Sequence, residues 1–202
     1  MRCKQSVAIL IGLILASQAA YAYHYPLRSE SIRDAYFLGE RNNFQTTECL
    51  LQYVNHFSER QNGRYFIAEV QIATPYQQII LRGQRNTPGD SEVQTETDLR
   101  YQPLNFIVRV RIELNFANHD IPKQPNAWPE LSPDLAIHVT QRHALTSISE
   151  THEGIYNHHA LVGWLFELQF DAAKISSAPL HISVKTPDGQ IQEVEFDMAK
   201  IQ

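Results

Sequence analysis

The sequence predicts a mainly β protein, an antiparallel β-sandwich of about six to eight strands with two short N-terminal helices packed against it. Three observations carry this. From Leu104 to Phe116 every even-numbered residue is apolar, while five of the six residues between them are polar. Other stretches downstream and upstream repeat the alternation more weakly, and turn residues such as Pro187-Asp188-Gly189 separate them. A period of two sends successive side chains to opposite faces of a strand, one dry and one wet. Half-polar strands of this kind belong to antiparallel sheets, because parallel sheets covered on both faces read as continuous apolar runs.

The elements follow in chain order. Arg2 and Lys4 precede an apolar run from Val7 to Ala16, and Ala20-Tyr21-Ala22 has the small-x-small pattern of a signal peptidase site. The run is too short for a permanent membrane helix, which takes about 20 residues. Residues 1–22 therefore read as a signal peptide removed after Ala22. The expected product is an exported protein, periplasmic or extracellular, with no transmembrane segment left. Residues 23–60 read as a helical segment and 61–202 as the sandwich domain, the two forming one unit.

In the helical segment, Ser29 or Ser31 can cap a first helix whose apolar residues are Ile32, Ala35, Tyr36 and Leu38, with Gly39 as its stop. A second helix is predicted from Thr46 to Ser58, since Cys49, Leu50, Tyr53, Val54 and Phe57 fall on one helical face. Gln61-Asn62-Gly63 ends it. The strands then begin. Phe66, Ala68, Val70 and Ile72 alternate with polar residues before Thr74-Pro75 interrupts ahead of Ile79-Ile80-Leu81. After the long strand come Leu135 to Val139, Val162 to Phe170 and Leu180 to Val184. A hairpin turn leads into a last strand with Val194 and Phe196 inward. Gln84 to Leu99 reads as a mobile polar loop, and Asn118 to Pro133, with four prolines, as a stiff connector.

Charge and cysteine usage narrow the function. Seventeen basic residues against 22 acidic give −5; losing Arg2 and Lys4 leaves 15 against 22, or −7. No basic stripe or like-charge block points to nucleic acid. One cysteine, Cys49, remains after cleavage, so no intramolecular disulfide can form and the core alone must stabilise the fold. Cys49 lies in the apolar stripe of the second helix and reads as a buried thiol. Neither a G-x-S-x-G turn, an S-x-x-K pair nor a glycine-rich phosphate loop occurs.

Candidate site residues come from two groups. His152, His158 and His159 are the densest histidines, and imidazole is a ligand for zinc or copper. Their spacing does not match the helical zinc pattern of two histidines four apart, so loop histidines in water are the competing reading and no cofactor is assigned. Charging all nine histidines would take −7 to +2, a sign change that ordinary histidine pKa values near 6.5 place between about pH 7 and pH 5. The second group would bind ligand. Tyr23, Tyr25, Trp128 and Tyr156 lie in segments without periodicity, where rings can grip a sugar or a partner protein. Arg109 and Arg111 share the polar face of the long strand and could hold an anion, although such a face also simply keeps a sheet soluble. Among carboxylates, Glu113, Glu130, Asp134, Glu150 and Glu153 are candidates for paired acid–base work, and none stands out.

The stretch from Leu27 to Arg41, with Ser31-Ile32-Arg33-Asp34-Ala35-Tyr36-Phe37-Leu38-Gly39 at its centre, resembles the start of an uncharacterised family of exported bacterial proteins. Ile72-Ala73-Thr74-Pro75-Tyr76 is similar as well. That resemblance implies bacterial export and brings no activity, ligand or catalytic residue. The functional expectation is an exported β-sandwich acting as a binding or structural module in the cell envelope, with a protein or carbohydrate ligand. The alternative is an extracytoplasmic hydrolase with a carboxylate or histidine–metal site in its loops. An enzyme should show converging acidic or imidazole groups in a deep pocket, whereas a binding module should show a shallow aromatic patch or an unpaired sheet edge.

Overall fold

The computed structural model describes residues 23–58, 63–85, 104–115, 133–158 and 160–201. The expected signal peptide of residues 1–22 lies outside the described residues. So do the expected polar loop beyond residue 85 and the proline-rich connector up to residue 132.

The described chain folds into helices α1 (Ser29–Arg41) and α2 (Phe44–Leu51), then strands β1 (Val54–His56) and β2 (Tyr65–Ala73), then helix α3 (Pro75–Arg85). Six strands follow: β3 (Phe106–Leu114), β4 (Ala136–Thr140), β5 (Ser149–Asn157), β6 (Ala160–Phe170), β7 (Leu180–Lys185) and β8 (Ile191–Phe196). They form a five-stranded sheet in the order β1-β2-β3-β6-β5 and a three-stranded sheet in the order β4-β7-β8, with every pairing antiparallel. The two sheets share one core, as a β-sandwich does.

β3 is the central strand of the larger sheet, and its alternation explains the position. Phe106, Val108, Val110 and Ile112 have no solvent exposure. They meet Val70 and Ile72 from β2 and Leu168 and Phe170 from β6. From the facing sheet come Val139, Leu180, Ile182, Val184, Val194 and Phe196. Each fully buried side chain of this size contributes about 1.5–3 kcal/mol of transfer free energy, which is the main term holding the two sheets together. The odd-numbered residues Arg109, Arg111 and Glu113 face the opposite side.

The hairpin of the smaller sheet turns where the sequence places it, with Gly189 at φ +87°, a backbone state that side-chain-bearing residues avoid. This turn also clasps the other sheet. The Asp188 carboxylate accepts from the backbone N–H of Arg64 at 2.8 Å and of Tyr65 at 3.3 Å, and Gln190 Nε2 donates to the Tyr65 carbonyl at 2.7 Å.

Five expectations are corrected, the fifth at the end of α1. In β2 the register shifts between Ile67 and Glu69, so Ile67 rather than Phe66 joins Val70 and Ile72 in the core. A one-residue bulge reverses which parity faces inward. The second helix stops at Leu51 rather than Ser58, and Val54–His56 pairs with β2 as an edge strand. The Ile79-Ile80-Leu81 run belongs to a third helix, α3. Thr74 caps it, its hydroxyl accepting from the Gln77 N–H at 3.1 Å, and Pro75 takes the first turn, where a missing N–H costs nothing. The histidine-bearing segment Ser149–Asn157 is strand β5 and not a loop.

The helices lie beside the sandwich as a second apolar cluster, in which Ile32 and Ala35 of α1 meet Tyr76, Ile79 and Ile80 of α3. Gly39 does not stop α1. The helix ends at Asn42, which takes the left-handed conformation at φ 42° and returns its N–H to the Gly39 carbonyl. Gly39 instead marks the crossing with α3: a Cβ there would sit 2.0 Å from the Ile80 carbonyl oxygen, and one on Gly83 would sit 2.4 Å from that of Tyr36. At its start α2 carries a reciprocal cap, Asn43 Oδ1 accepting from the Thr46 N–H and Thr46 Oγ1 from the Asn43 N–H. Gln78 Nε2 ties α3 to the start of β3 through the Asn105 carbonyl, 2.7 Å away.

Candidate functional site

On the wet face of the larger sheet, cross-strand registry brings Arg109 opposite both Gln71 and Glu167, and Arg111 opposite Glu69 and Leu165. The charges are matched within the sheet. Arg109 Nε donates to Glu167 Oε2 at 2.9 Å, and Arg111 Nη2 donates to Glu113 Oε1 at 2.8 Å. The other Glu167 oxygen accepts from Gln169, whose own carbonyl accepts from Asn105 Nδ2. His56 stands 3.3 Å from Glu69 on the same face. These arginines hold a ladder of carboxylates rather than an open anion cradle.

The aromatic candidates separate. Tyr25 is half-buried and packs against the main core. Its neighbour Tyr23 is buried edge-on to Phe106, its hydroxyl donating to the Ala172 carbonyl at 2.9 Å, and burial pushes that phenol well above its ordinary pKa. Tyr156 is 63% exposed near the end of β5. Trp128 lies outside the described residues.

Histidines lie on different elements. His152 is exposed on β5, its ring 5.8 Å from that of Phe166. His158 sits at the β5–β6 turn with φ 47°, and His159 lies outside the described residues. Among the described residues, no three His, Cys, Asp or Glu side chains stand close enough together to hold a metal ion. On the outer face of the smaller sheet, His138 pairs with Ser183 while His181 faces Glu195, Nδ1 to Oε2 at 3.2 Å. Cys49 is half-buried, and its thiol pKa is raised chiefly by burial, against a hydrogen bond with Tyr53 that lowers it. Such a thiol stays protonated near neutral pH and is a poor nucleophile.

The feature that the sequence pattern did not reveal is the open side of the sandwich. The larger sheet extends past the smaller, and a groove of about 630 Å³ runs between the edge strand β4 and the overhanging strands β5 and β6. Leu135, Ile137 and Phe166 give it apolar walls, and Asp134, Glu150, His138 and His152 give it polar ones. Among the described residues, β5 pairs only with β6, so all nine of its residues border a free edge. β4 is less open: Leu145 N–H donates to the Val139 carbonyl at 2.8 Å, and Thr140 bridges Ala144. β5 carries no apolar face because nothing of the smaller sheet covers it, which removes the periodicity by which the other strands announce themselves. The one available signal was the strong alternation of β6 directly after a polar turn, the place where a hairpin partner is expected.

No helix among the described residues is long and apolar enough to cross a membrane. Compared with family models, with curated proteins and with solved structures, the chain finds no match.

Proposed function

We propose that this chain is an exported binding module of the cell envelope whose contact surface is the open side of the sandwich. The observation that carries the reading is the nine-residue edge of β5, bordered by a shallow groove with both apolar and polar walls. An unpaired strand edge offers backbone N–H and C=O groups to an incoming chain, and alternate side-chain positions supply selectivity. Export rests on the Val7–Ala16 apolar run and the Ala20-Tyr21-Ala22 cleavage pattern. The ion-paired arginines of the sheet face fit the same reading, since a self-matched charge ladder solubilises that face and leaves binding to the edge.

Two experiments test it. Expression of the full chain in a bacterial host, followed by N-terminal sequencing of the envelope fraction, should return a product starting at Tyr23; an intact Met1 terminus retained in the cytoplasm would refute export. Capture from envelope extract with the exported chain, followed by mass spectrometry, should return a partner whose retention is lost when β5 is disrupted. Hydrolysis of envelope polymers with no stable partner would transfer the reading to the hydrolase class.

A further inference from the structure

The chemistry of the open side narrows its occupant. We infer that the β5 edge receives an extended, basic segment of a partner protein, added as a further antiparallel or parallel strand. This rests on the binding-module reading above and gives the partner a chemical class.

Three observations converge. First, β5 runs nine residues with no partner on its outer side among the described residues, while the corresponding edge of β4 is partly taken by the chain around Ala144. An extended segment therefore has its longest available ladder on β5. Second, the charge is one-sided. The described residues lining the groove include the carboxylates Asp134 and Glu150, the imidazoles His138 and His152, and neither lysine nor arginine, while the Glu167 carboxylate turns to the opposite face of the sheet, where Arg109 holds it. Glu150, in register with Leu168, shares the inward-facing side of the edge strand with His152, whereas Glu153, in register with Leu165, is exposed on the opposite face. An incoming strand that places alternate side chains on this side meets carboxylate at Glu150 and Asp134 and an apolar surface at Phe166 and Ile137. Lysine or arginine alternating with aliphatic residues satisfies both.

Third, the same acids disfavour a second copy as occupant. Pairing two β5 strands with Glu150 opposite Glu150 sets like charges against each other on the groove side, and like charges across a ladder destabilise it. Inward-pointing charge on an edge strand is a known guard against self-pairing, and here it discriminates by sign: what repels another β5 attracts a cationic strand.

The test is fluorescence anisotropy with the exported chain and a labelled nine-residue peptide alternating lysine and valine, beside its glutamate–valine counterpart. The lysine peptide should bind saturably, and the glutamate peptide at least about tenfold more weakly. The double variant Asp134→Asn/Glu150→Gln should lose about tenfold in affinity for the lysine peptide. Should that variant fail to fold, the wild-type chain supplies the same readout, because its affinity for the lysine peptide must fall as salt is raised through the physiological range. Equal binding of the two peptides, or an affinity indifferent to both salt and the double substitution, overturns the inference. A concentration-dependent dimer in sedimentation that the lysine peptide does not dissociate overturns it in favour of a second copy. If envelope capture succeeds while the partner ignores the double substitution, the module reading stands and this edge is not its contact. If neither capture nor peptide binding occurs, both fall.

Discussion

Asp188 shows how much one side chain can hold. Its partial burial alone would raise its pKa, yet hydrogen bonds from Thr186, from the Tyr65 and Arg64 N–H groups and from Gln190 hold it below the ordinary carboxylate range. It thereby fastens the β7–β8 turn to the first residues of β2. Asp188→Ala should lower stability by about 1 kcal/mol, the scale of exposed hydrogen bonds to a charged acceptor, read as a lower urea midpoint at unchanged slope. The pH dependence follows from the direction of the shift. A carboxylate with a depressed folded pKa adds stability above its unfolded pKa of about 3.9 and loses it as pH falls through the folded value. Wild type should therefore lose this increment in acid, while the Asp188→Ala variant shows a flatter acid limb; identical limbs would remove the clasp. Cys49 gives a second residue-scale expectation. Because burial raises its pKa, alkylation of the native chain at neutral pH should run at least about tenfold slower than in denaturant, and equal rates would show the thiol to be open.

Elements tell a different story, because their stability depends on how closely they approach one another. α1 and α3 cross with Gly39 and Gly83 in contact, the Gly39 Cα lying 3.2 Å from where a Gly83 Cβ would sit. Alanine at either position gains up to about 1 kcal/mol of helix propensity but sets a methyl group against backbone at 2.0 or 2.4 Å. Backbone cannot swing away as a side chain tip can, so the clash wins. Gly83→Ala should destabilise by about 1–3 kcal/mol, measured by thermal or denaturant unfolding; a neutral or stabilising result would mean that the helices are further apart.

Legibility also divides at this scale. β3, β7 and β8 were readable because one face of each is buried against the facing layer, which forces alternation, and β6 was readable because Trp164, Leu168 and Phe170 are buried on one face even though Phe166 borders the groove. β5 was not, because it overhangs the smaller sheet and nothing selects for apolar residues such as those of β3. α3 was missed although Thr74-Pro75 is a cap-and-first-turn signal, since Ile79-Ile80-Leu81 read alone suits a buried strand as well as a helix. The bulge at Ala68 left no mark because Phe66, Ile67 and Ala68 are all apolar and either parity looks acceptable. Of the candidate site residues, Arg109 and Arg111 were placed correctly on a wet face, but their carboxylate partners come from pairings that only the topology supplies.

At the scale of the whole molecule, stability and function are assigned to opposite sides of one sheet. Its centre, β3, is closed: Ile112→Ala should cost about 2–5 kcal/mol, observed as a large drop in unfolding temperature. Its margin, β5, has no partner on its outer side among the described residues, and that is what makes the proposed binding at the edge available. Residue-resolved amide hydrogen exchange of the chain compares the two directly. The amides of Phe106–Leu114 should exchange at the rate of global unfolding, while those of Ser149–Asn157 that point away from β6 exchange orders of magnitude faster, within the range of local opening. Uniform protection along β5 equal to that of β3 would mean that the edge is already covered, and would contradict the assignment of this side as the contact surface.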